Sequence, residues 1–277
     1  MKNFTVDLKE EYGIHGGKLD CLTMDMPFDV DTPDWKRPAL IVIPGGGYGM
    51  TSKREAEPVA LAFLARGFQV FILWYTIGTA EGMSYPEQLI EFGTAVDYVK
   101  QNADKLNVNK DEVFVVGFSA GGHLTGNLAV EYASVSEKAG QKLDAKPTAV
   151  GLCYPVISSK NGHLETYENL LYGYTQEAKA ELIKTLNLNE AVTEETAPAF
   201  IWATAKDQVV PVDNAIRFAQ ALSEKNVDFE LHVYTDGVHG LSTCDEEINP
   251  YGAHLARTSK WLDDCSAFFH RFTKEKF

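Results

Sequence analysis

Apolar positions first alternate with polar ones and then gather into short unbroken runs. Phe4–Leu8 and Lys18–Met26 alternate with period two, the pattern of strands buried on one face. Asp31-Thr32-Pro33-Asp34 is a turn cluster. Ala39–Ile43 is a continuous apolar run, as expected of a strand covered on both faces, and it ends at Pro44-Gly45-Gly46-Gly47-Tyr48-Gly49. Glu55–Arg66 reads as a helix stopped by Gly67. Phe68–Tyr75 is the next buried strand. Ser84-Tyr85-Pro86-Glu87 has the Ser-x-x-Glu spacing of a capping box, ahead of a helix with the apolar stripe Leu89, Phe92, Val96 and Val99. Strands then follow at Val113–Phe118, Ala149–Val156, Phe200–Ala205 and Phe229–Tyr234. Helices are expected at Ala120–Tyr132, Pro211–Lys225 and Leu255–Phe272.

Strands alternating with helices of this length predict β-α-β units, hence an α/β fold with a mainly parallel central sheet and helices on both faces. The two early strands, with no helix expected between them, predict an antiparallel hairpin at one sheet edge. Ser158–Pro198 departs from the rhythm. It is rich in Tyr, Leu and Glu, helical in flavour at Gln176–Leu186, and reads as a small insertion above the sheet serving as a lid or cap. With no repeat, linker or low-complexity tract, residues 1–277 are expected to form one domain.

Composition narrows the function. Lys plus Arg number 25 and Asp plus Glu 39, a formal charge of −14. Such a surface repels phosphate backbones and anionic lipid, so nucleic acid and membranes are not expected partners. Cys21, Cys153, Cys244 and Cys265 are far apart and lack a C-x-x-C pair, so they read as reduced, mostly buried thiols rather than a disulfide framework or zinc site. The start of the chain has no apolar secretory core, and no run approaches the ~18 residues of a membrane span. A cytoplasmic protein is expected, and a homo-oligomer stays open.

The strongest chemical signal is Gly117-Phe118-Ser119-Ala120-Gly121-Gly122, a G-x-S-x-G pattern between a predicted strand and a predicted helix. Small residues on both sides let the backbone turn sharply and expose the serine hydroxyl at a helix N-terminus. Such a hydroxyl needs a base and an orienting acid. Of seven histidines, His239 lies in the glycine-flanked loop after Phe229–Tyr234, and Asp207 follows Phe200–Ala205. Both stand at C-terminal strand ends, where open α/β sheets place their sites. Asp236 is too close to His239 in the chain to lie across its ring, and Asp213 falls within a predicted helix. His123 is expected to pack on its helix and His232 to sit within a strand. His15, His163, His254 and His270 have no partner set and read as surface. The N–H groups of Gly46, Gly47 and Ala120 are positioned to form an oxyanion hole. The glycine loop satisfies neither G-x-x-x-x-G-K-[ST] nor G-x-G-x-x-G, which rejects both nucleotide-binding patterns.

Pro44-Gly45-Gly46-Gly47-Tyr48, Gly117-Phe118-Ser119-Ala120-Gly121-Gly122-His123, Asp207 with Val210-Pro211, and Gly237-Val238-His239-Gly240, in this order, resemble the α/β-hydrolase superfamily over about residues 35 to 272. The nearest likeness is to bacterial esterases related to acetyl-xylan and feruloyl esterases, near the hormone-sensitive-lipase branch. That branch has a histidine before its glycines, where this chain has Pro44. It also carries a large N-terminal cap, whereas residues 1–38 here are taken up by strands. The resemblance implies Ser119 as nucleophile, His239 as general base and Asp207 as acid, with Gly46, Gly47 and Ala120 as oxyanion donors. It implies hydrolysis of small acyl esters, acetyl first and acetylated sugars among them, without cofactor or metal. Tyr48, Tyr167, Tyr172 and Tyr174 are candidates to line the alcohol site. A peptidase of the prolyl-oligopeptidase type and a non-catalytic small-molecule receptor on the same scaffold are the alternatives.

Overall fold

The computed structural model describes residues 1–25, 36–246, 248–249 and 255–274. The expected turn at Asp31–Asp34, the end of the strand expected through Met26, and His254 lie outside these residues. Eight strands form one sheet: β1 Lys2–Asp7, β2 Lys18–Thr23, β3 Arg37–Ile43, β4 Gln69–Trp74, β5 Val108–Phe118, β6 Ala149–Cys153, β7 Ala199–Thr204 and β8 Phe229–Tyr234. Their spatial order is β1-β2-β4-β3-β5-β6-β7-β8. β1 and β2 pair antiparallel at one edge, β2 pairs antiparallel with β4, and every remaining pair is parallel. This is the mainly parallel sheet with an antiparallel edge that the strand–helix alternation predicts.

Side chains alternate across the sheet and build two cores. Ala39, Ile41, Ile43, Val113 and Val115 face the helices Glu87–Gln101, Ala120–Glu131 and Asp213–Glu224, meeting Phe92, Val96, Leu124, Leu128, Phe218 and Leu222. Leu40, Val42, Phe114, Val116 and Phe118 face the helices Glu57–Leu64 and Trp261–His270, meeting Val59, Phe63, Trp261, Phe268 and Phe269. Both faces of β3 and β5 are thus dry, which is why their sequences are unbroken apolar runs.

Three local expectations are corrected. The β1–β2 connection is a short helix, Leu8–Tyr12, because the Asp7 carboxylate accepts hydrogen bonds from the N–H of Lys9 and Glu10, and Gly13 closes the turn at φ 70°. The Ser84–Glu87 capping box does not form. Pro86 occupies the N-cap, Ser84 accepts a turn hydrogen bond from the Glu87 N–H, and the Glu87 carboxylate pairs with His15 Nδ1 at 2.7 Å. The helix expected from Glu55 begins at Glu57, preceded by a 3₁₀ turn at Lys53–Glu55.

Residues 158–198 contain the helices Leu164–Leu170, Gln176–Leu186 and Leu188–Ala191. Leu170, Leu171, Leu186 and Leu188 are buried in the larger core, so this segment is packed onto the domain. All four cysteines are buried free thiols. Among the described residues, no helix is long and apolar enough to cross a membrane.

Candidate active site

The site lies at the C-terminal rim of β3, β5, β7 and β8. At the end of β5, Ser119 adopts φ 54° and ψ −115°, a strained conformation for a non-glycine residue. Its neighbours hold it there: the Ser119 N–H donates to Cys153 O, and the Ser119 carbonyl accepts from the N–H of His123 and Val156. Glycine is required around it. A Cβ on Gly117 would lie 2.3 Å from the Gly121 carbonyl oxygen, and one on Gly121 2.3 Å from that of Ile43. The bend therefore forces the helix start against both its own strand and β3.

His239 and Asp207 meet this serine from separate loops. Asp207 follows β7, and its side chain is fully enclosed. One carboxylate oxygen, Oδ1, accepts from the N–H of Val209 and Val210 at 2.9 and 3.0 Å. The other, Oδ2, lies 2.6 Å from His239 Nδ1. An acceptor-only carboxylate there assigns the ring proton to Nδ1 and leaves Nε2 free to accept. Nε2 stands 2.8 Å from Ser119 Oγ, in position to receive the hydroxyl proton. The His239 loop is pinned where the Thr204 hydroxyl donates to Gly237 O at 3.0 Å. Tyr154 supports the other side of the ring, edge-on at 5.1 Å between centroids.

The rival acids are elsewhere. Asp236 is exposed and pairs with Lys206 at 2.5 Å, and Asp213 lies opposite Arg217 on its helix. Gly46 and Gly47, at φ 125° and 63°, border the same cavity as Ser119 and His239. Among the described residues, no acceptor meets the N–H of Gly46, Gly47 or Ala120.

The cavity has a volume of about 570 Å³. Besides the glycine loop, its wall includes Met50, Arg54, His163, Glu165 and Asn169. Asn169 reaches across from the insertion to donate to Gly47 O at 2.8 Å.

The tyrosine assignments are corrected here. Tyr48 is wholly buried, and its hydroxyl hydrogen-bonds His123 Nδ1 at 3.0 Å. Tyr167 is buried against the His123 ring. Tyr172 is exposed and Tyr174 donates to Tyr85 O, and neither lines the cavity. His163, read from sequence as surface, is instead a cavity residue. It sits at φ 48°, with Nδ1 2.5 Å from the Thr166 hydroxyl and Cε1 beside Gly47. No pattern around residue 163 marks this, since a fold-wide approach brings it to the glycine loop. His123 packs as expected, and burial pushes its imidazole down to about 4. His232 is half-buried on β8, near Glu230 and Asp264. Among the described residues, no group of three or more His, Cys, Asp or Glu side chains is arranged to hold a metal ion.

Comparison with known proteins adds to this geometry. The family model described as BD-FAE matches residues 28–222. Over 219 residues the chain is 36% identical to an endo-1,4-beta-xylanase B of Butyrivibrio fibrisolvens, covering 78% of this chain and 34% of that one. It is 29% identical over 245 residues to an acetylxylan esterase of Xylanibacter ruminicola, covering 87% and 46%. The chain thus spans about a third to a half of these relatives' lengths. Among solved structures, it resembles an acetyl ester-xyloside bifunctional hydrolase from Caldicellulosiruptor lactoaceticus, with a TM-score of 0.80 and 28% identity over 97% of this chain and 96% of that one.

Proposed function

The chain belongs to the BD-FAE family of α/β-hydrolases, and from that premise we propose that it is a serine carboxylesterase acting on small acyl esters, acetyl first. The observation that carries the reading is the continuous line Asp207–His239–Ser119, with links of 2.6 and 2.8 Å, opening into a cavity bordered by Gly46 and Gly47. In the proposed reaction, Ser119 Oγ attacks the ester carbonyl as its proton passes to His239 Nε2. The N–H groups of Gly46, Gly47 and Ala120 hold the developing oxyanion. Asp207 keeps the ring oriented and stabilises the imidazolium. The proton then passes to the departing alcohol. Water, deprotonated by the same imidazole, attacks the acyl-enzyme and releases the acid.

Acetylated sugars are the proposed alcohol class. The polar cavity wall of Arg54, His163, Glu165 and Asn169 offers donors and acceptors to a polyhydroxylated group. Two of the similar proteins are named an acetylxylan esterase and an acetyl ester-xyloside bifunctional hydrolase. A panel of p-nitrophenyl esters of increasing acyl length, beside acetylated xylosides, tests the reading. It predicts highest kcat/KM for acetyl and propionyl esters and release of acetate from the xylosides. Absence of turnover across the whole panel would overturn it.

A further inference from the structure

Glu55 is a carboxylate that the reaction described above does not use, yet it is buried, 3% exposed, beside the reacting groups. Taking a carboxylate out of water is costly unless its oxygens find donors. Both oxygens do. Oε2 accepts the Gly45 N–H at 2.9 Å, and Oε1 accepts the Tyr154 hydroxyl at 2.8 Å. Those partners sit on opposite sides of the site.

Gly45 directly precedes the oxyanion glycines and is wedged against the nucleophile. A Cβ on it would fall 2.6 Å from Phe118 O, 2.7 Å from Glu55 Oε2 and 3.0 Å from Ser119 Cβ. Tyr154 carries the His239 ring on its own ring, and its hydroxyl accepts the Ser242 N–H at 2.9 Å, just beyond the His239 loop. The same loop is tied a second time where the Ser242 hydroxyl donates to Arg54 O at 2.5 Å. The 3₁₀ turn at Lys53–Glu55 therefore places one side chain where it bridges the glycine loop, the loop after β6 and the base loop.

We propose that Glu55 is a positioning residue that sets the register between the oxyanion donors and His239, acting through Gly45 on one side and Tyr154 on the other. It borders the cavity, but its carboxylate hydrogen-bonds Gly45 and Tyr154 rather than Ser119 or His239. Its effect falls on transition-state geometry, since a displaced oxyanion N–H loses strength steeply with distance and angle. This inference rests on the esterase reading.

The test compares wild type with Glu55→Ala, Glu55→Gln, Tyr154→Phe and the Glu55→Gln/Tyr154→Phe pair. Hydrolysis of p-nitrophenyl acetate is measured together with thermal unfolding, so that kcat refers to folded protein. Glu55→Ala is expected to lower kcat roughly 10- to 100-fold with little change in KM, less than removal of an oxyanion donor because the donors are displaced, not lost. Glu55→Gln retains an acceptor for Gly45 and is expected to recover most of that loss. The Gln and Phe changes break one linkage, so their combined loss is expected to fall short of the product of the single losses. Should Glu55→Ala fail to fold, the Gln, Phe and double variants decide the matter by the same non-additivity. Wild-type kcat in folded Glu55→Ala or Tyr154→Phe, multiplicative losses, or a loss confined to KM or to the folded fraction would overturn the positioning role alone. A wild-type chain inert on every ester would bring down the esterase reading and this inference with it.

Discussion

Asp207 holds His239 by one carboxylate oxygen and is itself held by the other: Oδ2 lies 2.6 Å from Nδ1 while Oδ1 takes two backbone N–H groups of its own loop. The ring's orientation is thereby passed from the loop after β7 to the loop after β8. Replacing the carboxylate by an amide keeps the shape but offers an N–H where an acceptor is needed. Asp207→Asn is expected to lower kcat on p-nitrophenyl acetate by about 10³–10⁴, as for the corresponding change in serine proteases. Asp236→Asn, which removes only a surface partner of Lys206, is expected to leave kcat within about twofold. If Asp236→Asn is the crippling change, the acid is misassigned.

The buried pair Tyr48–His123 gives the fold a pH dependence of its own. Burial lowers His123 from its ordinary value of 6.5 to about 4. Between those values the unfolded chain binds the proton and the folded chain does not, so stability rises with pH across that window. The contribution is complete above pH 6.5 and is lost progressively as pH falls toward 4. It amounts to roughly 3 kcal/mol. Urea unfolding from pH 7 to pH 4 should show this slope in wild type and a shallower one in His123→Gln. Equal slopes would remove His123 as its source.

Glycine at 121 is demanded by space. Its Cβ would sit 2.3 and 2.4 Å from the carbonyl oxygens of Ile43 and Pro44, backbone atoms that cannot swing aside. Gly121→Ala is expected to cost at least about 2 kcal/mol of stability, read as a drop in the thermal midpoint. An unchanged midpoint would contradict the packing described.

His163 and Tyr172 separate the two ideas about the alcohol site. His163 lines the cavity and Tyr172 does not. His163→Ala is expected to raise KM for acetylated xylosides more than for p-nitrophenyl acetate, whereas Tyr172→Ala should change neither by more than about twofold. The reverse pattern would restore the tyrosine to the site.

The strand–helix rhythm was readable because β3 and β5 are dry on both faces and the covering helices each bury one stripe. Ser119, Asp207 and His239 were readable for a related reason: each follows a recognisable strand, and the sheet aligns those ends along one rim. Other features depend on approaches between distant segments. The carboxylate of Asp7 starts a helix where alternation suggested a strand running to Leu8. Tyr48 follows the glycines closely enough to look like a binding residue, but its φ of 54° turns the ring inward to His123. In the sequence Glu55 is only the first residue of the helix expected over Glu55–Arg66. Its two partners, ten and ninety-nine residues away, are what make it different.

The central claim is that Ser119 Oγ is the nucleophile activated by His239. Treating the folded protein with a fluorophosphonate probe and locating the adduct by peptide mass spectrometry tests it most directly. The account predicts one stoichiometric adduct on Ser119, no adduct in Ser119→Ala, and labelling slowed by several orders of magnitude in His239→Ala. An unlabelled wild-type protein, or an adduct on any other residue with Ser119 untouched, would contradict it.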